Sequence, residues 1–299
     1  MSYNILEGVR ENMNILIVGG TRFFGIPMVK RILDNGYNVT IATRGNQSNI
    51  FNKKVQHIIM DKTSENSVKN ALDSKRYDVV IDKVAYSSND VKSLLENVSC
   101  ERYIQMSSCA VYTSEHLWIN ESEFNAKNHK LIWMDRPTDY AEGKRQAERA
   151  TLEFMDMNQC TFVRYPVVMG KNDYTNRLRF YMKHICNDMP MYIDNLEIGT
   201  CYINELEAGE FMAYLVEHSI SGAINGCSKG IISPKEIVTY IENKSGKKAV
   251  LSKNGDSALH NGLKAETSFD CKKAESLGYV FTDISSWIFK LINFDLSHS

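Results

Sequence analysis

Residues Ile15 to Gly25 read ILIVGGTRFFG, an apolar, largely β-branched run broken by two glycines and followed by a third. An uncharged extended segment from Asn14 to Val18 suits a strand buried on both faces of a parallel sheet. Gly19 permits a tight turn after it, and Gly25 permits close packing of the following helix against the sheet. The free backbone N–H groups that open such a helix face a pyrophosphate, whose charge the helix dipole also favours. The spacing is G-x-x-R-x-x-G, so Arg22 stands where a middle glycine would let the backbone approach the phosphates. Either the pocket is adjusted around Arg22 or its guanidinium is itself a phosphate ligand. A strand, turn and helix that bind nothing carry the same glycines, so the motif needs context.

That context is an alternation of strand and helix. Ile26, Val29, Ile32 and Leu33 share one helical face, and Asn35-Gly36 supplies the stop. Strands are expected over Tyr37–Ala42, Val55–Met60, Asp78–Ile81, Tyr103–Met106 and Thr161–Tyr165. Helices are expected over Ser64–Leu72, Asn89–Val98 and Tyr140 to about Met157. The result is an α/β, doubly wound parallel sheet with right-handed crossovers, which binds ligands beyond the carboxyl ends of its strands. A charged stretch from Thr113 to Thr138, holding Trp118 and Trp133, interrupts the rhythm as a candidate lid or wall. Beyond Gly170 the pattern becomes mixed, with helices near Arg177–Cys186, Glu205–His218 and Pro234–Lys244. The expected division is an accessory tail over 1–12, a nucleotide-binding domain over 13–170 with a returning segment near 198–228, and a smaller substrate-binding portion over 171–299.

Composition narrows the functions open to such a fold. Among 299 residues, 35 Lys plus Arg nearly balance 36 Asp plus Glu, so no global field recruits nucleic acid or a membrane surface. The seven cysteines are scattered without a C-x-x-C pair, which reads as reduced, cytoplasmic thiols. The apolar runs are strand-sized and the histidines show no ligand spacing, so neither a membrane nor a metal role is expected. No repeat or low-complexity tract marks a linker.

The catalytic candidates are Ser108, Tyr140 and Lys144. In YAEGK, Tyr140 and Lys144 are four residues apart at the start of a helix and so share one face. A second Y-x-x-x-K, Tyr240 with Lys244, shows that spacing alone does not identify a site. The first pair follows QMSSCAVY, a strand end that delivers hydroxyls to the same carboxyl edge as the glycine turn. A phenol with a reference pKa of about 10 needs a neighbouring cation to serve as a base near neutrality, and Lys144 is expected to supply it. Ser108 would hold the same substrate oxygen, while Ser107, one residue out of phase, is expected to be a core hydroxyl.

Taken in order, VGGTRFFG, ATRG, VVIDKVAY, MSSCAVY, YAEGK and RYPVVMG resemble the NAD-dependent epimerase/dehydratase family, the extended short-chain dehydrogenase/reductases, in a divergent GGTRFFG-type branch. The likeness extends over nearly the whole chain from Met13. It implies a Rossmann domain with a carboxy-terminal substrate portion, usually for nucleotide sugars, and matches the family's Ser/Thr, Tyr and Lys to Ser108, Tyr140 and Lys144. Lys144 would then also hold the nicotinamide ribose. Sugar dehydratases of the family carry Asp-Glu after the catalytic Thr. Cys109-Ala110 stands there, which argues against dehydration.

The cofactor would run along Gly19, Thr21, Arg22, Phe23, Phe24 and Gly25, over Val84, Ala85 and Tyr86, and on to Tyr165 and Val168. No carboxylate follows the second strand, where Arg44 suits a 2′-phosphate and favours NADP over NAD; Arg44 could instead stack on the adenine of either. Asp61 matches the family position that contacts adenine, or caps the next helix. Arg177 and Arg179 are candidate ligands of a substrate diphosphate, or solvated helix residues. Tyr202 to Leu206 resembles the segment that completes the site. The implied activity is nucleotide-sugar epimerisation through a transient keto intermediate, with a small-molecule partner and possible homodimerisation. The alternatives are an NADP-dependent keto-sugar reductase and a non-catalytic cofactor-sensing or RNA-associated member.

Overall fold

Four consecutive side chains, Ile15 to Val18, are buried in strand β1 (Asn14–Val18), whose bounds are those expected from the sequence. The strand is packed from both sides. Ile15 and Ile17 join one apolar cluster and Leu16 and Val18 another, as the period of two requires. The computed structural model describes residues 12–259 and 261–298. Residues 1–11, nearly all of the expected tail, lie outside the described residues.

β1 pairs in parallel with β2 (Asn38–Thr43), and β2 with β3 (Gln56–Ile59). On its other side β1 pairs in parallel with β4 (Lys75–Asp82), which is followed by β5 (Val98–Ser108) and β6 (Cys160–Tyr165). Beyond β6 come β7 (Val168–Met169), β8 (Pro190–Tyr192), β9 (Ile203–Asn204) and β10 (Gly222–Asn225), and β10 returns to pair with β6. The seven-stranded order is β10-β6-β5-β4-β1-β2-β3, so the direction of progression reverses between β1 and β4. Ligands of open α/β sheets bind at this reversal.

Helix α1 (Gly25–Asp34) covers one face of the sheet. Helices α2 (Glu65–Leu72), α3 (Ser88–Leu95) and α4 (Tyr140–Phe154) cover the other. Helices α5 (Arg177–Cys186), α6 (Glu205–Glu217), α7 (Pro234–Ser245), α8 (Lys272–Ser276) and α9 (Ile288–Leu296) follow, with α6 packed on α1. A second apolar cluster joins α5, α7 and α9 through Leu178, Tyr181, Ile237, Ile241, Ile288 and Ile292. Two short strands, β11 (Val250–Leu251) and β12 (Asp256–Ser257), flank β8.

Several bounds differ from expectation. The helix expected to reach Val98 stops at Leu95, and Val98 opens β5, which pairs with β4 from its first residue. The apolar spacing of Leu94, Leu95 and Val98 mimics a helical face, but Val98 belongs to the sheet. β4 starts at Lys75 rather than Asp78, and α4 ends at Phe154 rather than near Met157.

The stretch from Thr113 to Thr138 is fastened along its length. Arg164, buried on β6, donates to the carbonyls of Glu121 and Phe124, each at 3.0 Å. The Ser88 hydroxyl donates to the Ile132 carbonyl at 2.7 Å, and Gln146 bonds both Lys130 O and Ile132 N. Of the residues of this stretch, Arg136 lines the cleft described below. All seven cysteines are free thiols. Among the described residues no helix is long and apolar enough to cross a membrane, and no His, Cys, Asp and Glu group could hold a metal ion.

Candidate active site

A cleft of about 740 Å³ opens at the reversal between β1 and β4, bounded by the glycine turn, the ends of β2 to β6 and the start of α5. That size lies within the range of small-molecule sites. Gly19 and Gly20 have φ of +100° and +101°, and a Cβ on Gly25 would lie 2.7 Å from the Gly20 Cα. The turn therefore closes against the first residue of α1 only when that residue lacks a side chain. No side chain caps the N-terminus of α1, and no acidic residue occupies its first turn. The N–H groups of Gly25, Ile26 and Met28 donate to the carbonyls of Arg22, Phe23 and Phe24 and Pro27 has none, so it is the positive end of the helix that is open to an anion. Phe23, with φ +54°, holds a left-handed backbone that costs on the order of 1 kcal/mol in a non-glycine residue.

Ser108 ends β5, and Tyr140 begins α4 behind the Asp139 N-cap. Both line the cleft, and the Ser108 hydroxyl accepts from Ala110 N at 3.1 Å. α4 reaches this position because Gly143 has no side chain: a Cβ there would meet the Tyr86 carbonyl at 2.5 Å. Tyr140 is 47% exposed on the cleft wall. Desolvation raises its pKa above the usual phenol value, opposed by the Ser108 hydrogen bond and by the charge of Arg177.

Lys144 takes a different place from the one expected. It is fully buried, off the cleft wall, with its Nζ donating to Ala85 O at 2.7 Å and Met106 O at 2.9 Å. The nitrogen is 4.5 Å from the Tyr86 ring centroid and 5.8 Å from that of Tyr140. Burial lowers its pKa to about 7, with Asp82 opposing and Lys62 assisting. Lys144 thus ties the end of β5 to the segment after β4 directly beneath Tyr140.

Of the other expected contacts, Gly19, Thr21, Arg22, Phe23 and Phe24 line the cleft at the turn, and Arg44 and Asp61 line it at the ends of β2 and β3. Val84, Tyr86, Tyr165, Val168 and Arg177 line the remainder. Gly25 lies behind Gly20, and Ala85 is buried with its carbonyl turned to Lys144. Arg179 points away, donating to Asp295 at 2.9 Å and to Lys171 O at 2.7 Å. It lies outside the cleft lining and ties α5 to α9. Asp61 does not cap α2, whose N-cap is Ser64; it accepts from Thr63 N and Oγ1, and those bonds together with Arg44 and Arg136 lower its pKa. Ser107 reaches the cleft edge yet donates to buried Glu148 at 2.5 Å, as a core hydroxyl does. Glu205 is buried and accepts from Asn172, while Asn204 caps α6.

Among the cleft residues not read from the sequence are Lys62, Lys83, Arg136 and Tyr174. Lys62 pairs with the fully buried Asp82, which also accepts from Tyr103 Oη at 2.6 Å and Val84 N at 3.0 Å. Arg136 pairs with Asp90 at 3.0 Å and lies over Tyr86. The neighbouring strand ends hint at Lys83, but nothing in the sequence shows Tyr174 folding back over the glycine turn.

Residues 15–97 match the model of the NAD dependent epimerase/dehydratase family. The match spans β1 to α3 and stops short of Ser108, Tyr140 and Lys144. A chloroplast stem-loop binding protein of 41 kDa from Arabidopsis thaliana is 32% identical over 112 residues, which are 33% of this chain and 30% of that protein. The likeness therefore covers well under two thirds of that relative. Among solved structures, UDP-glucuronic acid 4-epimerase from Bacillus cereus, in complex with UDP-glucuronic acid and NAD, superposes with a TM-score of 0.73 at 19% identity, over 96% of this chain and 100% of that one. UDP-glucose 4-epimerase from Thermotoga maritima, with UDP-glucose, gives a TM-score of 0.73 at 16% identity, over 96% and 99%. At these identities the two likenesses show the fold alone, a Rossmann-type one, over 96% of this chain.

Proposed function

We propose that the chain is an NAD(P)-dependent nucleotide-sugar epimerase acting through a transient keto intermediate, with Tyr140 as acid and base. The observation that carries this reading is the meeting of Ser108 and Tyr140 in one cleft with an uncapped helix N-terminus and a glycine turn. These groups fit a nicotinamide dinucleotide: the turn and α1 suit its pyrophosphate, and Arg44 and Asp61 suit its adenosine end. A bound nicotinamide would supply the reversible acceptance of a hydride.

The protein's own part is positioning and proton transfer. Ser108 holds the substrate oxygen, and Tyr140 exchanges the proton on it. Arg177 favours the phenolate, and Lys144 fixes the two backbone segments that carry these groups. Arg44, which makes no ion pair with a described carboxylate, supports NADP over NAD. Cys109-Ala110 after Ser108 supports epimerisation over dehydration.

The test is a panel of UDP-, dTDP- and GDP-sugars with catalytic cofactor. Conversion of one to its epimer, with substrate-derived deuterium retained at the reacting carbon, is expected. Stoichiometric NAD(P)H consumption with a keto-sugar would establish a reductase instead. A second reading, a nucleic-acid-binding member, is favoured by the name of the Arabidopsis relative. Cofactor binding without turnover across the panel, together with measurable RNA affinity, would select it.

A further inference from the structure

Two cations flank the glycine turn without a carboxylate. The Arg22 guanidinium carbon lies 3.9 Å from the centroid of the Tyr174 ring, and the Lys83 Nζ lies 3.9 Å from that of Phe24. Lys83 also donates to the Arg22 carbonyl at 3.4 Å, and its methylenes run alongside Gly19. The other cations near the turn are differently placed. Lys62 sits on Asp82, Arg136 on Asp90 and Arg177 on Asp173, whereas Arg22 and Lys83 form no ion pair with any described carboxylate. Arg22 and a charged Lys83, each held over an aromatic face, repel each other in a partly dehydrated wall, and a bound anion would offset that cost.

The groups facing Lys83 leave that anion as the missing partner. From the glycine turn come Arg22, which repels it, and the uncharged Phe24. On its own strand end Asp82 is taken by Lys62, Tyr103 and Val84 N–H. Tyr174 reaches the turn through Arg22 and Phe23.

We propose that Lys83 and Arg22 grip a ligand diphosphate from opposite sides of the glycine turn, and that Lys83 takes up a proton as the diphosphate binds. The inference rests on the dinucleotide reading of the cleft. Desolvation first, and Arg22 second, bring Lys83 down to about 7 in the free protein. Above that pH the free amine is largely neutral. The diphosphate restores the favoured charged form, so the lysine lone pair takes a proton that the buffer acid releases. Below pH 7 the lysine is already charged and little uptake remains.

The experiment is calorimetric titration of the full chain with NAD⁺ at pH 8 and pH 6, in buffers of different ionisation enthalpy. At pH 8 the buffer dependence is expected to report uptake of about 0.9 proton, and at pH 6 about 0.1, from a free pKa near 7. Lys83→Met should abolish the uptake and weaken binding about tenfold, and Arg22→Met should weaken binding by a similar factor. Lys83→Arg, charged throughout, should keep the affinity and lose the uptake. Binding without buffer dependence at pH 8, or uptake that persists in Lys83→Met, overturns the proton-coupled grip while leaving the dinucleotide reading intact. If NAD⁺ and NADP⁺ both give no heat, and neither shifts the melting temperature of the folded wild type, the dinucleotide reading fails and this inference with it.

Discussion

Arg177 lies where its charge lowers the pKa of Tyr140, opposing the rise that desolvation imposes on the phenol. Its ion pair with Asp173, at 3.4 Å, leaves it 32% exposed on the cleft wall. The cation that favours phenolate therefore comes from α5, in the carboxy-terminal portion, rather than from the lysine one turn along the catalytic helix. The two halves of the chain meet at Tyr140.

Removing that charge should move the ionisation of Tyr140 upward. In Arg177→Met the acid limb of the pH–rate profile moves to higher pH, and the rate at neutral pH falls about tenfold for every pH unit the limb travels. Arg179→Met, which loses only the Asp295 and Lys171 contacts, leaves the profile and KM in place. An unchanged limb in Arg177→Met would show that another group sets the ionisation.

The two tyrosine–lysine pairs are internal controls for each other. Tyr140→Phe should lower kcat by about 10²- to 10⁴-fold with cofactor affinity retained, the range of a lost acid–base group. Tyr240 bonds Asn293 at 3.1 Å far from the cleft, so Tyr240→Phe should leave turnover unchanged. Comparable losses in both variants would discard the site.

Lys144 gives a pH signature in stability. Its folded pKa, near 7, lies below the ordinary lysine value, so between about pH 7 and pH 10 the unfolded chain binds more protons and stability rises with pH. A neutral amine retains two N–H donors for the two carbonyls it holds. From pH 7 to pH 9 the wild type should gain on the order of 2 kcal/mol relative to Lys144→Met, read by urea unfolding at each pH. Parallel curves for the two proteins would place the lysine at its ordinary pKa.

Arg44 should discriminate between the cofactors. Arg44→Ala is expected to weaken NADP binding about tenfold and to leave NAD within about twofold, since only NADP carries the 2′-phosphate that a guanidinium pairs with. Equal affinities of the wild type for both cofactors would remove the preference.

Legibility in the sequence followed burial. β1 was readable to the residue because both its faces are packed and every position from Ile15 to Val18 is apolar. β5 was read only in its middle, because Ser99, Cys100, Glu101 and Arg102 look like a loop and become strand only through pairing with β4. The i, i+4 spacing put Tyr140 and Lys144 on one helical face, but it carried no information on depth. Helix α4 enters the protein between them, leaving the tyrosine on the wall and the lysine beneath it. The depth of Lys83 was hidden for a related reason. A lysine after a strand reads as solvated until the Phe24 ring, which comes from a distant part of the sequence, closes over it.

Arg164 is 1% exposed, pairs with the fully buried Glu148 at 2.7 Å, and reaches the Thr113–Thr138 stretch through two carbonyls. Releasing that stretch would break two hydrogen bonds of a buried guanidinium, each worth about 1 to 3 kcal/mol, so it should open far more rarely than a free loop. Its amides should exchange with solvent more slowly than those of a free loop. Product departure is then limited by how fast the ligand breaks its own contacts, so turnover should be insensitive to solvent viscosity and tuned by ligand charge.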